Sequence, residues 1–220
     1  MMETQLIIEV LILLILVIVT RVLYLIHKIT TGYSRKSEIK RTTPCKILIC
    51  IGSGGHTTEM LQLIKNINFA KYKPRYYTMA KTDKTSHDKV VNFEKAKEGI
   101  SSNYTIIEVP RSREVHQSYI TSVITTLYST LYSLPIVLGI MPDVIICNGP
   151  GSCVPICVVS FILKCMFIKD IRIVFIESYC RVQTFSLTGK ILTYLADNFL
   201  VQWPDLKNKL KRAEYIGQLM

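Results

Sequence analysis

The chain is short of acid. Its 220 residues carry 16 Asp and Glu against 27 Lys and Arg, a formal charge of +11, which suits an anionic partner: nucleic acid, phosphorylated lipid or a membrane surface. It also lacks an even set of cysteines. There are seven, and Cys50, Cys147, Cys153, Cys157 and Cys165 sit inside apolar runs, where they read as small buried hydrophobes and not as a disulfide framework. That composition places the folded part in a reducing compartment. No internal repeat and no low-complexity tract interrupts the sequence, so its length allows one ordinary domain and an appendage.

Charge is nearly absent at the front. Leu6–Ile26 is apolar except for Glu9, Thr20 and Arg21, and a run of roughly 20 such residues matches the hydrocarbon thickness of a bilayer. A cleaved signal peptide would need a basic start and a small-residue cleavage site, and neither occurs here. Residues 1–27 therefore read as a single transmembrane anchor. His27, Lys28, Arg35, Lys36, Lys40 and Arg41 crowd its far side, which puts the N-terminus in the lumen and the rest of the chain in the cytosol. Residues 28–44 form a basic polar linker next to lipid headgroups, and 45–220 form the domain.

In that domain short β-rich runs alternate with helical ones. Lys46–Ile51, Arg75–Ala80, Tyr104–Val109, Val144–Cys147, Ile171–Ile176 and Asn198–Gln202 are predicted strands. Thr57–Ile67, Ser86–Lys97, Gln117–Gly139, Ser152–Ile168, Ser186–Leu195 and Lys207–Ala213 are predicted helices. The alternation predicts a doubly wound α/β, Rossmann-like domain. "KILICI", "DVIIC" and "IRIVFI" are apolar without alternation, as in a parallel sheet buried on both faces.

Two strands lead into glycine turns. Gly52, Ser53, Gly54 and Gly55 precede His56 and a helix; Asn148, Gly149, Pro150, Gly151 and Ser152 precede another. Turns of this kind let backbone amides approach an anion at a helix N-terminus, and two on one sheet edge point to one shared anionic ligand. No Gly-Lys-Ser/Thr follows either, which excludes a Walker loop. Thr57 stands where a dinucleotide fingerprint needs its third glycine, and no acid ends the second strand. Two further edges carry Arg111 with Arg113, guanidinium forks suited to phosphate oxygens, and Glu177 with Arg181, which read equally as a mutual ion pair or as ligand contacts. There is no Asp-x-Asp, and Cys153 and Cys157 lack the further ligands that zinc requires, so no metal and no cofactor is expected.

"GSGGHTTEM", "NGPG", "FIESYCRVQTFSLTGKILTYLAD", "FLVQWPDL" and "EYIGQLM", behind an N-terminal membrane helix, resemble the membrane-anchor subunit of the endoplasmic-reticulum UDP-N-acetylglucosamine transferase, over essentially the whole chain. The family in turn resembles the acceptor-binding half of the bacterial GT-B glycosyltransferase that makes lipid II. The resemblance implies half of a GT-B fold and an inverting hexosyltransferase that is inactive alone. It implies a dolichyl-pyrophosphate-GlcNAc acceptor, no nucleic acid, and a cytosolic catalytic subunit that binds UDP-GlcNAc. Residence would be in the endoplasmic-reticulum membrane and its continuation, the nuclear envelope. On this reading Gly52, Ser53, Gly54, Gly55, Arg111 and Arg113 hold the acceptor pyrophosphate together with Asn148, Gly149, Gly151, Ser152, Glu177 and Arg181. The tail Tyr215, Ile216, Leu219 and Met220 docks the partner; by its residues alone it could equally be a last edge strand.

His56 is the side chain of the first turn best suited to act as a base at neutral pH. Glu59, one turn into the helix, reads as a carboxylate that offsets the dipole and caps free amides. Val115–Pro142 contains no charged residue and is either a buried core helix or an interfacial helix guiding the lipid, with Pro135 expected to kink or end it. Two other functions fit less of the sequence. A noncatalytic recruiting scaffold needs only the anchor and the tail; a membrane-tethered oxidoreductase needs the missing glycine and acid.

Overall fold

A computed structural model describes residues 2–34, 41–98, 103–111 and 117–219. One seven-stranded sheet organises the domain: β1 (Ile47–Cys50), β2 (Arg75–Ala80), β3 (Tyr104–Val109), β4 (Val144–Asn148), β5 (Arg172–Ile176), β6 (Asn198–Val201) and β7 (Glu214–Tyr215). They lie in the order β3-β2-β1-β4-β5-β6-β7, and every neighbouring pair is parallel. The order reverses between β1 and β4, so the helices after them cover opposite faces of the sheet, and the carboxyl rim of those two strands is the switch point at which such folds hold a ligand crevice.

Successive residues of β1 explain why the run is apolar throughout. Ile47, Ile49 and Ile51 enter a core with Met60, Ile64, Tyr77 and Val90, while Leu48 and Cys50 enter a second one with Ile145, Phe175 and Phe199. The first core is covered by α2 (Gly55–Leu63) and α3 (Lys84–Glu98). The second is covered by α4 (Tyr119–Ile140), α5 (Cys153–Cys165) and α6 (Leu187–Leu192); α7 (Pro204–Lys209) precedes β7. All seven cysteines are free thiols. The tail begins in the edge strand, β7, which pairs with β6 through Leu200–Glu214 and Val201–Tyr215; residues 216–219 run on outside it.

The anchor helix α1 runs from Met2 to Thr30, and Glu3–Thr30 is long and apolar enough to cross a membrane. Its last turns do not lead into a free linker. Leu25 (4 % exposed) and Ile29 (1 %) belong to the second core, and Ser34 just beyond donates its hydroxyl to Asp197. Arg35 to Lys40 lie outside the described residues.

Helix α4 departs from expectation at Pro135, which sits inside it without ending it. The proline forfeits one backbone hydrogen bond, but Val137 and Ile140 beyond it are buried and keep the last turn in place. One face of this segment packs into the core as a core helix would, and the other is apolar and exposed. Ser129, Ser133, Val137 and Ile140 are buried, whereas Val123, Ile124, Leu127 and Leu131 are exposed, Leu131 by 71 %.

Beneath α3 lies a buried ion pair. Arg75 donates to both carboxylate oxygens of Glu94 at 2.8 Å, and Tyr77 donates its phenol to Glu94 Oε1 at 2.5 Å. Arg75 and Glu94 are both fully buried. Glu94→Ala should therefore cost about 3–5 kcal/mol by stranding a guanidinium in the core, read as a lower midpoint in chemical denaturation of the detergent-solubilised chain. Glu94→Gln, which keeps an acceptor, should lose less.

Candidate functional site

The site lies at the crevice, where the β1–α2 and β4–α5 loops meet. The glycines divide into two kinds. A Cβ at Gly52 would stand 2.7 Å from His56 Cβ and 3.0 Å from Pro150 Cγ, and one at Gly149, whose φ is +67°, would stand 3.0 Å from His56 Cε1. These two make room for the His56 ring and for the contact between the loops. A Cβ at Gly54 (φ +61°) or at Gly55 would meet nothing within 4 Å; with Ser53 they are exposed and leave space for something outside the protein.

Helix ends at the crevice differ from those of α4 and α6. Ser118 and Ser186 cap α4 and α6 by accepting from Thr121 N and Gly189 N. Neither Gly54 nor Ser152 makes a side-chain cap at the start of α2 or α5. At α5 the turn itself takes up the first amides, Cys153 N donating to Pro150 O at 3.2 Å and Val154 N to Gly151 O at 3.1 Å, so the start of α2, with its partial positive charge, is the end left without a cap at the switch point. Gly151 is exposed and Ser152 half-buried at that edge.

His56 stands in the first turn of α2. Its Nδ1 lies 3.6 Å from Glu59 Oε2, three residues on along the same face, while the side chain as a whole keeps 37 % of its exposure. Glu59 is no cap, contrary to expectation: it is 3 % exposed and gathers three other donors. Tyr179 N reaches Oε1 at 2.6 Å, Gln202 Nε2 reaches Oε1 at 2.8 Å, and Ser178 Oγ reaches Oε2 at 3.0 Å. Burial pushes the Glu59 pKa up, but His56, the Tyr179 amide, Ser178 and Gln202 outweigh it and hold the carboxyl below its ordinary value. At 3.6 Å the Glu59 charge acts on Nδ1 without a hydrogen bond, and it favours the tautomer that carries its proton on that nitrogen and has Nε2 as the acceptor.

Other expected site residues have different places. Asn148 is fully buried and donates Nδ2 to His56 O at 3.1 Å, so it positions the histidine and is screened from the crevice. Glu177 is likewise fully buried. It accepts from Ser178 N at 3.2 Å and Ser186 N at 3.0 Å, and burial raises its pKa. It shapes the β5–α6 loop, and a carboxylate there has no surface to offer a pyrophosphate. Arg181 is exposed and makes no ion pair with Glu177. Arg111 is exposed beyond β3, two strands from β1 and so about 10 Å to the side of the crevice. Arg113 and Met220 lie outside the described residues. Tyr215 and Leu219 are exposed, at 46 % and 44 %, and Ile216 donates its amide to Val201 O at 3.1 Å.

Sequence reasoning misses Ser178, Tyr179 and Gln202 as site residues. The only trace they leave in the sequence is their place at the ends of strands β5 and β6, on the rim where His56 stands.

Residues 47–219 match the family model described as "Oligosaccharide biosynthesis protein Alg14 like". The chain is 46 % identical over 181 residues to the "UDP-N-acetylglucosamine transferase subunit ALG14" of Mus musculus, covering 80 % of this chain and 83 % of that one. It is 45 % identical over 191 residues to the subunit of the same name in Homo sapiens, covering 84 % and 88 %. Among solved structures, MurG of Acinetobacter baumannii superposes with a TM-score of 0.51 at 14 % identity, over 73 % of this chain and 41 % of that one. A UDP-N-acetylglucosamine 2-epimerase gives 0.52 at 15 %, over 77 % and 45 %. At these identities the likeness is one of fold, and this chain spans less than half the length of either neighbour.

Two outcomes should follow from the site. Gly52→Ala and Gly149→Ala should each destabilise the chain by about 1–3 kcal/mol through contact with His56 and Pro150 or through strain at positive φ, whereas Gly55→Ala should stay within about 0.5 kcal/mol of the parent. Glu59→Gln should cost about 1–3 kcal/mol, because an amide NH₂ would face donors. Since the Glu59 pKa is lowered on folding, its contribution is present above the unfolded carboxyl value and is lost as pH falls through the folded one. Denaturation midpoints of parent and Glu59→Gln should therefore converge on acidification below about pH 4.5.

Proposed function

This chain belongs to the Alg14 family of oligosaccharide biosynthesis proteins, and from that we propose that it is the membrane-anchored, acceptor-binding subunit of a UDP-N-acetylglucosamine transferase. Its acceptor is a lipid-borne GlcNAc pyrophosphate, and the nucleotide sugar is held by a separate cytosolic subunit. The observation that carries the reading is the His56–Glu59 pair at the uncapped start of α2, against the glycine turn that precedes α5. The exposed amides of Ser53–Gly55 and of the Gly151 edge hold the acceptor diphosphate. His56 Nε2 takes the proton of the attacking 4-hydroxyl as the bond to the anomeric carbon forms and UDP leaves with the electron pair of the old one. Attack from the face opposite the leaving diphosphate inverts the anomeric centre. Glu59 stabilises the imidazolium that results.

A two-subunit enzyme accounts for a sheet of this size. A GT-B transferase closes a cleft between two Rossmann-like layers, and this chain supplies one. The second layer docks along the carboxyl rim and the tail, where Tyr215 and Leu219 are exposed beside the last strand. The bilayer meets the opposite flank of the domain: the exposed apolar row of α4 descends from the carboxyl rim, so a membrane along it reaches the level at which the crevice opens. The endoplasmic-reticulum membrane, with the domain cytosolic, agrees with the basic residues past the anchor and with seven free thiols.

The test is transfer of GlcNAc from UDP-GlcNAc to a dolichyl-pyrophosphate-GlcNAc analogue, in membranes containing this chain, its cytosolic partner, or both. Activity should require both. His56→Ala should lower transfer about 10²–10⁴-fold while the complex stays intact on co-purification. Full transfer by His56→Ala in an intact complex would leave a recruiting scaffold as the role, and robust transfer by this chain alone would overturn the two-subunit reading.

A further inference from the structure

A cavity of about 980 Å³ opens at the other rim of the sheet, under the amino ends of the strands. Its walls are the last turns of α1, the segments entering β1 and β2, and the starts of β4 and β5. The sheet separates it from the crevice. Seven cationic side chains line it against three carboxylates, and each carboxylate is already engaged. Asp143 takes Lys169 Nζ at 2.7 Å and Arg41 Nη1 at 3.0 Å. Asp197 takes Lys164 Nζ at 2.7 Å and the Ile173 amide at 2.9 Å, and Asp170 lies 3.3 Å from the same lysine. Arg21, Lys28 and Lys71 have no acidic partner among the described residues.

The position of the cavity decides what that surplus charge is for. From Leu6 to Arg21 the helix is apolar except for Glu9 and Thr20 and almost wholly exposed, a stretch of about 22 Å at helical rise, and it first packs on the domain at Val22 and Leu25, so Arg21 stands at the domain end of the lipid-facing stretch. Its guanidinium lies 4.5 Å over the ring of Phe167. Phe167 is itself 64 % exposed, with Met166 and Ile168 exposed on either side, an apolar tip at the same depth. Leu25 and Val144 add apolar wall. Cations at the bilayer surface, an apolar path downward along α1 and a volume of this size match one ligand chemistry.

We propose that this cavity is a headgroup site for an anionic phospholipid, its phosphate held by Arg21, Lys28 and Lys71 and its acyl chains lying along α1. The site rests on the reading of α1 as a membrane anchor, and it is separate from the acceptor crevice. A bound lipid would tie the domain to one depth and tilt, and so set the height at which the opposite rim meets a lipid-borne substrate.

The full chain, placed in nanodiscs of phosphatidylcholine with about one-tenth phosphatidylinositol and released into mild detergent for native mass spectrometry, should keep one phosphatidylinositol and no phosphatidylcholine. Retention should fall about a hundredfold in the triple variant Arg21→Gln, Lys28→Gln, Lys71→Gln, and about fivefold in Lys71→Gln alone; the single variant, on an exposed loop, keeps the test valid if the triple one fails to insert. Lys95→Gln, on the exposed face of α3 and outside the cavity, should leave retention unchanged. Equal retention of both lipids, or undiminished retention in Lys71→Gln, would overturn the proposal. So would a cavity that binds inorganic phosphate while keeping no lipid. A chain that never enters the nanodisc would overturn the anchor reading as well, whereas one that enters and keeps no phosphatidylinositol would overturn the headgroup site alone.

Discussion

A carboxylate withdrawn from water must be given hydrogen bonds by the protein, and Glu59 obtains its own from two separate parts of the chain. Tyr179 and Ser178 come from the loop after β5 and Gln202 from the end of β6, while Glu59 itself stands on α2 beside His56, whose Nδ1 lies 3.6 Å away. Stranding such a group costs kilocalories, so each donor is held by the need to satisfy it. The result is a rim on which three loops have one arrangement. That arrangement fixes the imidazole, and the imidazole in turn requires glycine at 52 and 149. The spacing of two crevice loops and the tautomer of one histidine thus follow from a single buried charge.

Much of the fold was legible because parallel strands buried on both faces have no alternation to misread. Arg75–Ala80 and Tyr104–Val109 are strands over the expected residues, and the other expected strands differ by one residue at one end or both. β7 was legible only as one of two readings of the tail, since two residues carry no periodicity and its pairing with β6 depends on the turn after α7. Pro135 misled for the opposite reason: local preference forbids it, and the burial of Val137 and Ile140 overrides that preference.

The site was legible as a place more than as a set of contacts. Glycine turns after β1 and β4 mark the switch point in the sequence itself. What the residues do there depends on neighbours far away in the chain. Nothing at Gly52 says that its missing side chain accommodates Pro150, and nothing at Glu177 says that it faces Ser186 and Gly189 instead of the crevice. Glu59 looked like a dipole-offsetting acid because its donors lie about 120 and 143 residues further on.

Leu25 and Ile29 sit in the same apolar cluster as Phe199 and Leu192, so the apolar N-terminal helix is a structural member of the α/β domain and not a tether attached to it. Synthesis reaches that helix first, and the sheet edge it completes last. The domain consequently finishes its interior against a segment made long before its own edge strand exists. Cutting the chain between the two would leave an open hydrophobic hollow where a soluble product was wanted.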